Sequence, residues 1–237
     1  MCETTVRDGT MQVRQPGTRW LSSGWDGGFE RSPVAYNVSV PEGWSRTDLD
    51  AYVRERRERA GFESAGPTLL TGVDMEHARG ARLGPVVAYA TVGLSNPAAL
   101  PMEPSGERGP DEAVRADADE PDVGTVNIVA VTRRSLPDGA LANLLSVVVE
   151  AKTATLLGAT GFPGTTSDAV VVGADEDGER AAFSGSATAV GAAARACVRD
   201  AVLASFRSRY AGESVADSVA DADHGVVTDR RAEVFAP

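Results

Sequence analysis

The stretch Leu136-Pro-Asp-Gly-Ala-Leu-Ala-Asn-Leu-Leu-Ser-Val-Val-Val-Glu-Ala-Lys-Thr153 decides how the rest of the chain is read. Pro137 and Asp138 form a helix start signal, and the Ala, Leu and Glu residues beyond them favour helix. At about 100° per residue, Asn143, Ser146, Glu150 and Thr153 fall in one narrow sector, so an otherwise apolar helix carries a single polar stripe. A helix of that composition is buried on most sides. The stripe is then either the solvated edge of a core helix or the wall of a site with Glu150 as its carboxylate. Lys152 is the sole lysine among 23 basic residues, and it stands two positions from Glu150, where regular geometry turns the two side chains to opposite faces. It is either an incidental surface residue or an amine wanted for its chemistry.

Working outward, an apolar strand, Val126-Asn-Ile-Val-Ala-Val131, leads into the helix. The loop Gly164-Thr-Thr-Ser-Asp168 and the strand Ala169-Val-Val-Val172 follow it. Further strands are expected over residues 19–23, 34–40, 68–72 and 85–92, with helices over 47–59, capped by Ser45 or Thr47, and over about 189–210. Strands and helices mix without regular β-α-β alternation, which favours an α+β fold over a doubly wound sheet. The expected architecture is a single domain with a mixed or antiparallel sheet packed against a buried central helix and a C-terminal helix. Residues 1–18 are expected to be a flexible N-terminus and 19–210 the folded domain. A mobile acidic insertion at about 101–123, a charged hairpin-like turn over 174–180 and a weakly packed acidic tail over 211–237 complete the division.

The formal charge of −11 over 237 residues and a pI near 4.7 oppose a nucleic-acid partner, which draws on a basic patch. Such a surface fits a soluble protein kept dispersed in molar salt, where screening shortens charge repulsion to about 3 Å at 1 M. No run approaches the roughly 18 uncharged apolar residues that span a bilayer, and the N-terminus lacks a basic-then-apolar export pattern. A cytoplasmic protein with no membrane partner is expected; its oligomeric state stays open. Cys2, Cys197, His77 and His224 fall short of a zinc ligand set or a disulfide framework, so no metal is expected. No glycine-rich dinucleotide fingerprint, phosphate-binding loop or nucleophile elbow stands in the right context.

Several strand ends deliver the same kind of group: Ser22 and Ser23 with Asp26, Ser95 with Asn96, Thr125 with Asn127, and Thr165, Thr166 and Ser167 with Asp168. Gly27 and Gly28 let a backbone approach a ligand closely. Neutral donors and acceptors on glycine-backed loops suit a large ligand rich in amides and poor in net charge. Turn preference alone would also place Ser, Thr and Asn there.

Ser22-Ser-Gly-Trp-Asp-Gly-Gly28, Tyr36-Asn37, Gly93-Leu-Ser-Asn96, Gly124-Thr-Val-Asn127, Gly139-Ala-Leu141 with Glu150-Ala-Lys-Thr153, Gly164-Thr-Thr-Ser-Asp-Ala169 and Ser184-Gly-Ser-Ala-Thr188 stand in this order along the chain. In order and spacing they resemble the adenosylcobinamide amidohydrolase family over about residues 19–205. The chain departs from that pattern at Asp26, where the family has Asn, and at Val149 and Ser167, where it has Thr. The resemblance implies hydrolysis of the amide joining the aminopropanol arm to the corrin ring, giving adenosylcobyric acid and 1-amino-2-propanol, in corrinoid salvage toward coenzyme B12. It implies no cofactor, the cobalt corrinoid being the substrate. On this footing Glu150 is expected to activate water or a hydroxyl of Thr165 or Thr166, and Asp168 to orient a loop hydroxyl. Asn127 and the amides of residues 164–166 are expected to receive the oxyanion. Lys152 would be an acid or an anchor, and only if the helix is irregular there. Ser22, Ser23, Asp26, Gly27, Gly28, Asn37, Ser95, Asn96, Thr125 and Asn127 are the expected substrate contacts. Two alternatives stay open: a corrinoid-binding protein without hydrolytic activity, and a Schiff-base enzyme using Lys152.

Overall fold

Strand β10 (Val126–Ser135) is buried over its first seven residues, on both faces. Val126, Ile128 and Ala130 pack beneath two helices, while Val129 and Val131 pack against a second sheet. An apolar run of this length calls for a cover on each side, and the fold supplies both. The computed structural model describes residues 2–41, 48–104, 124–212, 215–216, 218–222 and 224–236.

In chain order the strands are β1 (Glu3–Arg7), β2 (Thr10–Arg14), β3 (Thr18–Ser22), β4 (Gly28–Arg31), β5 (Val34–Ser39), β6 (Thr68–Thr71), β7 (Arg79–Leu83), β8 (Val86–Val92), β9 (Pro97–Ala99), β10, β11 (Gly164–Thr165), β12 (Ala169–Arg180) and β13 (Val226–Val227). The helices are α1 (Leu49–Arg59), α2 (Asp138–Thr160) and α3 (Ala189–Arg209). A six-stranded sheet has the order β4-β3-β12-β10-β8-β7, a four-stranded sheet β1-β2-β5-β6, and a small third sheet β11-β9-β13. Helices α2 and α3 cover one face of the large sheet. Met11, Val13, Ala35 and Leu69 of the four-stranded sheet pack on its other face with Trp20, Val129 and Val171. Val34, Tyr36 and Val38 point outward from β5 and meet Tyr52, Ala60 and Phe62 at α1. The layers therefore run helix, sheet, sheet, helix.

Most neighbouring strands are antiparallel, as an α+β fold has it, but each large sheet holds one crossover unit. β10 and β12 are parallel and joined by α2; β5 and β6 are parallel and joined by α1. α2 begins at Pro137 and stops where Gly161 turns left-handed at φ +80°, a backbone state that favours glycine. By length and composition α2 could cross a membrane. Here Leu141, Leu144, Val148 and Leu156 are packed into the core, and Asn143, Ser146 and Glu150 are exposed.

Several expectations change. Residues 1–18, read as flexible, contain β1 and β2, with Met11 and Val13 in the core. Asp8 and Gly9, both at positive φ, close that hairpin in the manner of a two-residue Asp-Gly turn. Residues 174–180, read as a hairpin turn, continue β12 to Arg180, with a register shift against β10 between Thr132 and Arg134. The segment after Ala211, read as a weakly packed tail, has no buried residue among those described, but it does contribute the two-residue β13. The cap of α1 is Asp48, whose carboxylate accepts the Ala51 amide at 2.9 Å. Of the expected insertion, residues 105–123 lie outside the described part, as do Ser45 and Thr47.

A side chain at Gly173 would place its Cβ 2.5 Å from ring carbons of the fully buried Trp20. Gly173→Ala is expected to lower stability by about 1–3 kcal/mol, read as a shift in the urea midpoint at unchanged slope.

Candidate active site

Lys152 is buried in a regular stretch of α2, and its ammonium meets Asp168 Oδ2. The two side chains are 8% and 12% exposed, so neither charge is solvated and each depends on the other. Asp168 also accepts the Thr165 hydroxyl and the Thr165 amide at 3.2 Å, and the Val126 amide at 3.0 Å. One carboxylate thus ties α2, β10, β11 and the start of β12 together. Gly164 lies so close that a Cβ there would press on Asp168 and stand 2.8 Å from Lys152 Nζ.

Hydroxyls and amides from neighbouring strand ends gather around this pair. Asn96 Nδ2 donates to Thr166 Oγ1 at 2.6 Å, and the Thr166 amide returns to Asn96 O at 3.2 Å. Ser167 donates its hydroxyl to Gly124 O at 2.8 Å, which leaves the Thr125 hydroxyl to donate to Ser167 Oγ at 2.8 Å. On the far side, Ser23 Oγ accepts the Val170 amide at 3.0 Å, and Ser22 Oγ accepts the Gly24 amide at 3.1 Å. Gly124 has no room for a side chain: a Cβ would run into Asn96 Oδ1 and Ser95 Oγ. Those two oxygens are buried and have no partner among the described residues. The expected convergence of glycine-backed turns is present: the ends of β3 and β8 meet the starts of β10 and β12.

Glu150 is not part of it. Its side chain is 63% exposed and paired with Arg195 at 3.2 Å on the outer surface of α2 and α3. The polar stripe is the solvated edge of the helix, and the opposite-face geometry that separates Glu150 from Lys152 is what carries Lys152 inward. No irregularity of the helix is needed. Asn127 and Asn37 are also misplaced as substrate contacts, because both lie 1% exposed between the two large sheets. Asn127 gives its amide to Asn37 Oδ1 at 2.9 Å and Leu70 O at 2.8 Å, and Asn37 donates to Thr91 Oγ1 at 2.9 Å. With its donors spent, Asn127 cannot receive an oxyanion. The amides of Thr165 and Thr166 are likewise committed, to Asp168 and Asn96.

Ser167, exposed at the tip of this turn, keeps an amide with no partner among the described residues. The sequence places its hydroxyl among the strand-end groups but gives no sign of a role for its amide. Asp26 and Gly27 lie on the exposed loop after β3 and Gly28 opens β4, with Asp26 at φ +47° and Gly28 at φ +125°. Ser184 and Thr188 serve structure at the other end of α2: Ser184 donates to Ala140 O at 2.6 Å, and Thr188 caps α3 by accepting the Gly191 amide at 3.0 Å.

A separate groove of about 630 Å³ runs between α2 and α3, lined by Ala154, Thr155, Gly158, Arg195, Arg199 and Phe206 among others. It is chemically poor for hydrolysis. Its one hydroxyl, on Thr155, is turned back to Ala151 O at 2.6 Å. The strand-end cluster, with a hydroxyl hydrogen-bonded to a carboxylate that a cation orients, has the arrangement of an activated nucleophile.

The strand ends of this α+β fold thus carry a contiguous hydroxyl–carboxylate–lysine array. The sequence model of the adenosylcobinamide amidohydrolase family matches residues 3–214, and the chain belongs to that family. A Halobacterium salinarum protein named adenosylcobinamide amidohydrolase is 56% identical over 239 residues, covering 100% of both chains. A Methanosarcina mazei protein of the same name is 31% identical over 153 residues, covering 64% of this chain and 67% of its own.

Asp168→Asn leaves the Lys152 ammonium buried without a counter-charge and is expected to cost about 3–5 kcal/mol. The double variant with Lys152→Met should recover part of that loss, measured by chemical denaturation. Glu150→Gln removes only an exposed pair, so stability should change by less than about 1 kcal/mol and turnover should stay at the wild-type level.

Proposed function

We propose that this protein hydrolyses the amide linking the aminopropanol arm to the corrin ring of adenosylcobinamide. The products are adenosylcobyric acid and 1-amino-2-propanol, and the setting is corrinoid salvage in the cytoplasm. The observation that carries this beyond the family is the contiguous array of Thr165, Asp168 and Lys152. It puts a hydroxyl, a proton acceptor and a fixed cation in hydrogen-bond contact at the mouth of converging loops. The surroundings suit such a ligand: the hydroxyls and amides on the turn are neutral. Exposed apolar side chains, Trp25 (43%) and Leu100 (60%), stand just beyond β3 and β9 where a flat, amide-fringed ring can lie. The cobalt belongs to the substrate, and the protein is assigned no cofactor of its own. An acidic surface of net charge −11 and a Halobacterium relative support adaptation to concentrated salt.

In the reaction, Thr165 Oγ bonds to the amide carbon as its proton passes to Asp168. The carbonyl oxygen gains charge and takes the free amide of Ser167. Collapse breaks the C–N bond, the proton moves from Asp168 to the departing amine, and an ester to Thr165 remains. Water then adds to that ester by the same proton route, releasing the acid and restoring the hydroxyl. Lys152 acts through Asp168, holding the carboxylate in register, and is a positioning residue. Thr166 and Asn96 support the turn, with Asn96 bonded to Thr166.

Incubation with adenosylcobinamide and chromatography of the products tests the activity directly. Adenosylcobyric acid and free aminopropanol are expected, and substrate returned intact with the protein would make the chain a binder. Thr165→Ala is expected to lower kcat by about 10³-fold or more, with Thr165→Ser retaining measurable turnover. Wild-type rates in Thr165→Ala would transfer the attack to water.

A further inference from the structure

Strand β9 carries the site's Ser95 and Asn96 at its leading end, and both of its edges are occupied. On one edge it pairs with β11 over two positions, Ala98 with Gly164 and Pro97 with Thr165. Pro97 has no N–H to give, and so short a pairing has little stability of its own. On the other edge lies β13, with Val226 opposite Ala98 and Val227 opposite Ala99. The Thr228 amide donates to Ala99 O at 2.9 Å, and the His224 amide donates to Ser95 O at 3.3 Å. The segment is folded onto itself as well. Ser218 Oγ donates to Asp221 Oδ2 at 2.6 Å across the 3-10 turn Val219–Asp221, and a Cβ at Gly225 would press on Val219. Upstream, the loop before β9 has its own anchor, the Leu94 amide on the Tyr210 hydroxyl at 2.7 Å. Downstream, β13 supplies the second edge that the two-residue β11 pairing lacks. Ser218 to Thr228, the other side of these contacts with β9, lie beyond residue 214, where the family match ends, while the alignment with the Halobacterium protein spans the whole chain.

We propose that residues 218–222 and 224–228 form a positioning strap of the active site. They hold β9, and through the Asn96 bonds to Thr166 and Ser167 they hold the 164–168 turn that presents the reacting hydroxyl. Resting on the assignment of Thr165 and Asp168 as the reacting pair, the strap acts on turnover and not on capture of the corrin ring.

The test compares Thr228→Pro, which deletes the amide bonded to Ala99, with Thr228→Ala, which keeps it, each in the full-length chain. In Thr228→Pro, kcat on adenosylcobinamide is expected to fall about 10- to 100-fold, with KM within about threefold, a change worth under 1 kcal/mol. Amide hydrogen exchange over residues 164–168 should quicken in that variant alone, and Thr228→Ala should match the wild type in all three readouts. Equal kcat and equal exchange in the two variants overturn the proposal, as does a rise in KM at constant kcat, which would make the segment a wall for the substrate. Gly225→Val strains the strap's own turn without touching β9. It is expected to reproduce the Thr228→Pro effects even if that variant fails to fold, and a wild-type outcome there also overturns the proposal. If the wild-type protein does not hydrolyse adenosylcobinamide, the functional reading fails while the exchange comparison still decides the strap.

Discussion

The charge of Lys152 is out of water, and what compensates it is the Asp168 carboxylate, itself held by the donors converging on it from Val126 and Thr165. A buried pair contributes little net stability over an apolar replacement, yet losing one partner is costly. Its effect is therefore on arrangement. Because Asp168 must accept from a helix side chain, a strand amide and the hydroxyl and amide of Thr165 at once, α2, β10 and the 164–168 turn have one mutual placement that satisfies it. The reacting hydroxyl is set in place by the requirement that a buried charge be solvated by protein.

The layered architecture makes that placement possible. α2 runs back from the end of β10 to the start of β12, so its C-terminal half returns Lys152 to the strand ends where the loops gather. The N-terminal half is at the opposite end, tied to the link before α3 through Ser184. Between the sheets, the chain from Asn127 through Asn37 to Thr91 fixes their relative position just beneath the site. These residues are close to the chemistry without facing it, which is how a structural polar ladder resembles a binding residue in sequence. The small β11-β9-β13 sheet sits over this frame and carries Asn96 to the turn.

Much of this was legible before any coordinates. The start of α2, the apolar runs of β8, β10 and β12, the α+β class, the family resemblance and the gathering of Ser, Thr, Asn and Gly at strand ends all follow from local pattern. What went unread was short or lacked contrast. β9, β11 and β13 are two or three residues long, and their pairing is not encoded in periodicity. β1 and β2 carried a usable signal in Asp8-Gly9, outweighed by their position at a terminus.

The sequence by itself determined that Glu150 and Lys152 lie on opposite faces of one helix, because 3.6 residues per turn admits nothing else. It could not determine which of the two faces the site, since a polar stripe holding Glu150 fits a solvated edge and a site wall equally. Only tertiary structure decided that, by placing Asp168, sixteen residues further along, where it can neutralise an ammonium but would repel a carboxylate. The partner of a buried charge is set by contacts distant in sequence, and that selection turned the lysine in and left the glutamate to solvent and Arg195.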